Sequence, residues 1–250
     1  MLAAERRNRI LTALEAEGRV LVADLSRLYG VSEETIRRDL EKLEEEGFAR
    51  RCYGGASFTG SPDLPYSIRK KSHVSGKRQI AQIAAGLIPD GASVAFDESS
   101  TAAFVAQALK GRKGITLLTN SVELVLSLGE TEDWQIYVTG GLYNEKNLSF
   151  GGLRVEEFLR EHHTDFAVIS CAGLDPELGL TDPKDEMARI KQAMIRSAGQ
   201  TILAADSRKF DRRSFAVVGK LEDVGTLITD SEPDEAWKER LEKAGVRLLY

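Results

Sequence analysis

Residues 31–55, VSEETIRRDLEKLEEEGFARRCYGG, read as one amphipathic helix that runs straight into a short basic hairpin. Ile36, Leu40 and Leu43 step by four and three residues, so they share one helical face and must bury it. Upstream, the short helical stretch ADLSRLYG ends at Gly30, a tight-turn residue. Ser32 then stands where a helix N-cap accepts a backbone N–H. Two helices therefore meet at a sharp turn. Gly47 follows the last helical turn as a C-cap, and FARRCYGGA has the form of a strand, a glycine turn and a returning strand.

Thr35, Arg37, Arg38 and Lys42 point away from the apolar stripe. A helix fixed by its buried face, opened by Ser32 and carrying Thr and Arg near its start, has the shape and donors to enter a DNA major groove. Arg pairs with guanine, and Thr meets a phosphate or a thymine methyl. The hairpin reads as the wing of a winged helix-turn-helix. Arg50 and Arg51 on it would neutralise phosphates, each contact releasing roughly 0.9 counterion, and would give affinity and register rather than sequence reading. The same segment also reads as a helical pair with a solvated charged face, because glutamates are interleaved with the basic residues. Residues 1–56 hold 10 Lys and Arg against 11 Asp and Glu, a net of −1. Any DNA binding therefore comes from a local patch and not from bulk charge.

A chain of 250 residues, 42% hydrophobic and 29% charged, has room for one small module and one larger body. The net charge of −5 argues against a nonspecific coat for nucleic acid or anionic membrane, and no apolar run approaches the roughly 18 residues that span a bilayer. The amphipathic start, MLAAERRNRILTALEAEG, is not a signal peptide, so a cytoplasmic location is expected. Cys52 and Cys171 lie 119 positions apart without ligand-type neighbours. His162 and His163 are adjacent on an expected helix and point in different directions, and His73 stands alone. No metal is assigned.

FTGSPDLPYSIRKKSHVSG carries prolines, glycines and serines without periodicity, and is expected to be a linker or extended arm. The expected division is 1–57 for the helix-turn-helix module, 58–74 for the linker and 75–250 for the body. In the body, strands expected at ASVAFD, GITLLT, WQIYVT, DFAVISCAG, QTILAAD, TLITD and VRLLY alternate with helical stretches. That rhythm predicts a doubly wound, mostly parallel α/β sheet.

Such sheets bind ligands beyond the carboxyl ends of their strands, where helix N-termini present free N–H groups. The polar residues at those ends are Asp97-Glu98-Ser99-Ser100-Thr101, Thr119-Asn120-Ser121, Thr139-Gly140-Gly141, Gly173, and Asp206 with Lys209. The hydroxyl-rich loops suit a phosphate, the glycines permit close approach, and Lys209 supplies charge. Each also has a capping explanation, since Ser, Thr, Asn and Asp are favoured wherever a strand turns into a helix. No G-x-G-x-x-G or Walker pattern occurs, which disfavours a dinucleotide or nucleoside triphosphate. A sugar-phosphate isomerase with an appended helical domain, using Asp97, Glu98 or Asp206 as a base, is the alternative from another class. No acid and base are spaced so as to predict that geometry.

TIRRDLEKLEEEGFARRCYGGA, preceded by Val31 and Ser32, resembles the N-terminal domain of the DeoR family of bacterial transcription regulators, with its TIRRDL helix and R-x-x-GGA ending. The resemblance continues along the chain. DESST looks like the family's D-x-G-[ST]-T phosphate loop, TNS like its second loop and VTGG like its glycine pair. GLTDPKDEMARIKQAMI and ADSRKF look like its later sensor motifs. It implies a body similar in fold to ribose-5-phosphate isomerase, duplex operator DNA and a phosphorylated sugar as partners, a homo-oligomer, repression of a carbohydrate operon, no cofactor and no catalysis. It also implies effector contacts at Asp97, Ser99, Ser100, Thr101, Thr119, Asn120, Ser121, Gly140, Gly141, Gly173, Asp206 and Lys209, with Glu186 and Lys191 as weaker additions. Ser99 stands where the family's loop more often has glycine, which would narrow the approach of a phosphate to the backbone.

Overall fold

The computed structural model describes residues 2–45, 47–58, 64–128, 131 and 133–250. Its contacts divide the chain into two compact units, Met1–Val74 and Ser75–Tyr250.

The first unit runs α1 (Ala3–Glu17), β1 (Arg19–Leu21), α2 (Val22–Tyr29), α3 (Glu33–Glu45), β2 (Ala49–Cys52), β3 (Gly55–Phe58) and α4 (Tyr66–Lys71). Ile36, Leu40 and Leu43 of α3 are buried in one cluster with Ile10, Leu14, Leu25 and Phe48, as their spacing requires. Gly30 closes α2 in the left-handed region, and the Thr35 N–H donates to Ser32 Oγ at 3.2 Å, so the expected turn and N-cap both form. At the other end of α3, the Gly47 N–H donates to the Glu44 carbonyl and the Phe48 N–H to the Leu43 carbonyl, a Schellman closure that places Phe48 in the core. β2 and β3 pair antiparallel around Tyr53-Gly54, which is the wing. β1 completes a three-stranded sheet, β1-β3-β2, and the sequence reading missed it because three residues are too few to show alternation. Gly55 sits where a Cβ would lie 2.0 Å from the Val20 carbonyl oxygen, so the wing closes on β1 only with glycine there.

Of the segment expected to be a linker, residues 59–63 lie outside the described residues. Tyr66–Lys71 are not extended but helical, and Ile68 belongs to the first unit's core. The apolar pair Tyr66 and Ile68, two apart in a polar stretch, was too short a signal to read as a helix.

The second unit begins within α5 (Val74–Leu87) and continues β4 (Ser93–Phe96), α6 (Ser100–Ala108), β5 (Thr116–Thr119), α7 (Val122–Leu128), β6 (Gln135–Val138), β7 (Leu142–Asn144), β8 (Ser149–Gly151), α8 (Leu153–Arg160), β9 (Thr164–Ile169), β10 (Gly173–Asp175), β11 (Gly179–Asp182), α9 (Asp185–Ser197), β12 (Ala198–Ala204), β13 (Ala216–Gly219), β14 (Thr226–Ile228), α10 (Glu235–Lys243) and β15 (Arg247–Leu249). The seven expected strands form a single sheet in the order β15-β14-β12-β9-β4-β5-β6, with every pair parallel. Strands move outward one way from β4 and the other way from β9, so the topological switch point falls between them. The apolar residues of the inner strands, among them Val94, Leu117, Val168 and Leu203, are buried on both faces of the sheet, whereas Tyr137 and Val138 of the edge strand β6 are exposed. A three-stranded sheet, β10-β11-β13, and the hairpin β7-β8 flank it. His162 and His163 follow the end of α8 at Arg160 rather than lying on a helix, and the His162 ring stacks on Phe158 at 4.2 Å.

Candidate functional site

On α3, Arg37, Arg38 and Lys42 are exposed, Thr35 is partly so, and none joins the core. Each cation already has a carboxylate on the same helix: Arg37 with Glu33 at 2.6 Å, Arg38 with Glu34 at 3.2 Å and Lys42 with Glu45 at 2.6 Å. Exposed pairs of this kind contribute about 0.2–0.5 kcal/mol each, less than the roughly 1–3 kcal/mol that a bidentate Arg–guanine contact contributes to discrimination. They hold the side chains along the helix without sequestering them. On the wing, Arg51 is held more firmly. Its backbone N–H and its guanidinium both bond Glu44, at 2.8 and 2.7 Å, while Arg50 has no ion pair among the described residues. Tyr53, fully exposed at the wing tip, was not singled out from the sequence; a solvated aromatic ring between strands is the signal that would have found it.

Asp39 is the member of TIRRDL that the sequence reading left without a role. It is buried on the inner face of α3 and takes the Arg6 Nε of α1 at 2.5 Å, with Arg7 at 3.6 Å. The motif's second Arg and its Asp thus face different surroundings, one solvent and one a buried ion pair that locks α3 against α1.

In the second unit, the ends of five adjacent strands, β12-β9-β4-β5-β6, bring Asp206, Ser170, Asp97–Thr101, Thr119–Ser121 and Thr139–Gly141 to one edge. Asp97 and Ser170 straddle the switch point, with the Ser170 N–H donating to Asp97 Oδ2 at 3.0 Å. Asp97 Oδ1 accepts the Ser99 N–H. Lys191 of α9, although buried, reaches Asp182 at 2.5 Å and Asp97 at 3.3 Å. Burial would lower the Lys191 pKa, but Asp182, Asp97 and Glu98 outweigh it and hold the ammonium protonated. Lys191, a weak addition from sequence, is the centre of the site's charge network, and Asp182, its closest partner, was missed.

The hydroxyls divide into two groups. Ser99 Oγ accepts the Ala102 N–H and caps α6, Ser121 Oγ accepts the Leu124 N–H and caps α7, and Thr119 Oγ1 donates to the Phe96 carbonyl. These three serve the backbone. Ser100 and Thr101 form the first turn of α6, whose leading N–H groups have no helical partner, and they are the anion-facing candidates. Replacing Ser99 by alanine is expected to destabilise the second unit by about 0.5–2 kcal/mol through loss of the cap. Urea unfolding followed by tryptophan fluorescence reads this directly, because Trp134 and Trp237 both lie in that unit.

Gly140 has open space where a Cβ would project, whereas Gly141, at φ +116°, would bring one to 2.6 Å from the Gly151 carbonyl oxygen. Gly173 lies in β10, not at the sheet edge, and a Cβ there would lie 2.3 Å from the Arg212 carbonyl oxygen, which accounts for glycine there without a ligand. The Glu186 carboxylate is likewise packed over Gly151, where a Cβ would come within 2.3 Å of its Oε1. Asp206 caps the short 3-10 turn Ser207–Lys209 and bonds the Arg208 guanidinium at 2.9 Å. Burial alone would raise its pKa, but Lys209, Arg208 and Lys77 hold the carboxyl well below the usual range. Lys77, a buried cation on α5, was also missed, since a lysine in an amphipathic helix reads as a solvated one. Burial pushes the thiol of Cys171, two residues beyond β9, up to about 12, which disfavours the thiolate at neutral pH. Among the described residues no His, Cys, Asp and Glu group is placed to hold a metal, and no helix is long and apolar enough to cross a membrane.

A winged helix-turn-helix carried on the same chain as an α/β unit with a polar switch-point crevice defines a DNA-binding transcription regulator with a sensor domain. Residues 6–61 match the DeoR-like helix-turn-helix domain and residues 72–231 match the DeoR C terminal sensor domain. The chain belongs to the DeoR family of transcription regulators and is not an enzyme. It is 37% identical to an uncharacterized helix-turn-helix transcriptional regulator of Bacillus subtilis, over 99% of this chain and 96% of that one. It is 33% identical to the putative aga operon transcriptional repressor of Escherichia coli O157:H7, over 98% and 93%. Among solved structures it is similar to ribose 5-phosphate isomerase A of Methanocaldococcus jannaschii over 56% of this chain and 55% of that one, with a TM-score of 0.41 and 16% identity.

Proposed function

We propose that this chain represses a carbohydrate-metabolism operon from the cytoplasm, as a homo-oligomer whose DNA affinity is set by a phosphorylated sugar. Residues 1–57 read operator DNA, the 58–74 segment follows with Ile68 of its helix α4 packed into that unit's core, and 75–250 sense. The observation that carries the sensing reading is the gathering of the α6 first turn, Thr119–Ser121, Gly140 and Lys209 at one sheet edge beside the switch point. Lys209 and the N-terminus of α6 supply the positive potential for a phosphate. The name of the Escherichia coli relative, an operon repressor, supports repression. Two or more reading heads on repeated half-sites explain how one small module with few phosphate contacts binds usefully at physiological salt. An effector coupling of about 1–3 kcal/mol, roughly five- to 150-fold in DNA affinity, is enough for control.

The test is a mobility-shift assay on the DNA upstream of the protein's own gene, with and without a panel of phosphorylated sugars. Arg37→Ala and Arg38→Ala should each lose about 1–3 kcal/mol of operator affinity and relax base preference at one position. Arg50→Ala should weaken all sequences alike and reduce the salt slope by about one. Unchanged operator affinity and preference in both α3 variants would show that another surface reads the bases. A panel in which no phosphorylated sugar alters DNA affinity would remove the sensing half.

A further inference from the structure

Two buried side-chain oxygens without a hydrogen-bond partner, Glu98 Oε1 and Asn120 Oδ1, belong to one pair of residues at the carboxyl ends of the adjacent strands β4 and β5. The Asn120 amide nitrogen donates to Glu98 Oε2 at 3.3 Å and to the Phe150 carbonyl at 3.0 Å, so the orientation of the amide is fixed and its oxygen is the atom left over. Glu98 is 2% exposed and Asn120 1%. A buried acceptor left unmade is costly, and two on a bonded pair of residues at the carboxyl ends of β4 and β5 ask for donors that the protein does not supply.

We infer that Glu98 and Asn120 form a hydroxyl-recognising subsite, which takes the polyol end of the effector while the first turn of α6 takes its phosphate. This rests on the sensing reading above and specifies which part of the ligand determines choice. The donors it fits are neutral O–H groups rather than an ammonium, because Lys191 already supplies the cation for the neighbouring carboxylates Asp97 and Asp182. Burial, helped by Asp97 and Asp182 and opposed by Lys191, also pushes the Glu98 carboxyl pKa up, which lets it exchange donor and acceptor roles with a hydroxyl. Glu98 is the second residue of DESST, ahead of the Ser99 that caps α6 and the Ser100 and Thr101 of its first turn, so its carboxylate can be changed without removing the cap or the first-turn N–H groups.

The experiment is calorimetric titration of the full chain with inorganic phosphate, glycerol 3-phosphate, ribose 5-phosphate, glucose 6-phosphate, fructose 6-phosphate and glucosamine 6-phosphate. The wild-type chain is compared with Glu98→Gln and Asn120→Ala. In Glu98→Gln the amide oxygen keeps the Asn120 contact and the NH2 group replaces the free acceptor. The expected result is that the tightest sugar phosphate outcompetes inorganic phosphate on the wild-type chain, and that this preference falls about ten- to 100-fold in either variant while the affinity for inorganic phosphate holds. Sugar phosphates that retain their full preference in a folded variant would overturn the subsite and leave the sensing reading standing. Tighter binding of glucosamine 6-phosphate than of glucose 6-phosphate would overturn the neutral-hydroxyl assignment. A wild-type chain that binds no sugar phosphate better than inorganic phosphate would overturn the sensing reading and this inference together, without recourse to any variant.

Discussion

Asp39→Ala is expected to destabilise the DNA-reading unit by about 3–5 kcal/mol, more than any substitution of the basic residues that face the groove. The reason is not the attraction that is lost but the charge that is left behind. Arg6 is 7% exposed and donates its Nε to Asp39, and with the carboxylate gone a guanidinium remains buried with only the more distant Arg7 beside it. Desolvation of an unpaired guanidinium costs several kcal/mol, a large share of what a module of this size has in hand. Replacing both partners, as in Arg6→Met with Asp39→Leu, should recover most of the loss, because a packed apolar pair carries no desolvation cost. The two units give separable signals. Both tryptophans report on the second unit, so the Asp39→Ala defect should appear as an early loss of far-ultraviolet circular dichroism that tryptophan fluorescence does not see. A single transition at the wild-type midpoint by both probes would mean that the ion pair contributes nothing. Operator binding should fail at temperatures where the second unit is still folded, which distinguishes this defect from that of Arg37→Ala, where folding is intact and only the contact is lost.

The contrast between Arg38 and Asp39 shows what periodicity can and cannot read. The apolar step Ile36, Leu40, Leu43 located the buried face of α3, and both its caps, Ser32 and Gly47, were legible because capping chemistry is local. Asp39 lies on that buried face, but a charged residue in an amphipathic pattern reads as solvated until its partner, 33 positions away on α1, is known. The same limit governs the sensor. All seven parallel strands were visible as apolar runs, the inner ones because burial on both faces leaves a continuous signature, while the edge strands β6 and β15 keep apolar residues although none of their residues is fully buried. The short antiparallel strands β7, β8, β10, β11 and β13 were not, because three or four residues cannot display a period. The polar strand ends do gather at one edge, yet which hydroxyls are spent on caps, as Ser99 and Ser121 are, depends on backbone geometry that composition does not encode. Lys191 and Asp182 come together only through the packing of α9 against the sheet, and nothing in their spacing announces it.

Lys191→Met should destabilise the sensor unit by about 3–5 kcal/mol at neutral pH, for the mirror-image reason. Its ammonium lies between Asp182 and Asp97, both essentially inaccessible to solvent, and methionine keeps the volume of the side chain while removing its charge. Two carboxylates then face each other in a medium that penalises both. The pH dependence should separate this from a packing defect. In the wild-type chain the Lys191 pKa is raised in the fold, so its stabilisation is fully present below the unfolded lysine value near 10.4 and is lost only as pH rises beyond it. Methionine at 191 has no such titration, so that contribution is missing from the variant at every pH. The gap between variant and wild type should therefore be full at neutral pH and begin to narrow as pH rises beyond about 10.4, where the wild type starts to lose the lysine's contribution. Urea midpoints followed by tryptophan fluorescence across that range give the measurement, and a deficit independent of pH would assign the loss to packing. The effector should respond as well, because Asp97 anchors both the Ser99 N–H that leads into α6 and the Ser170 N–H across the switch point. If Asp97 swings away once its cation is gone, the first turn of α6 moves with it. Phosphate-ester affinity should then fall further than the loss of one distant charge can explain, with Lys209 untouched as the internal reference.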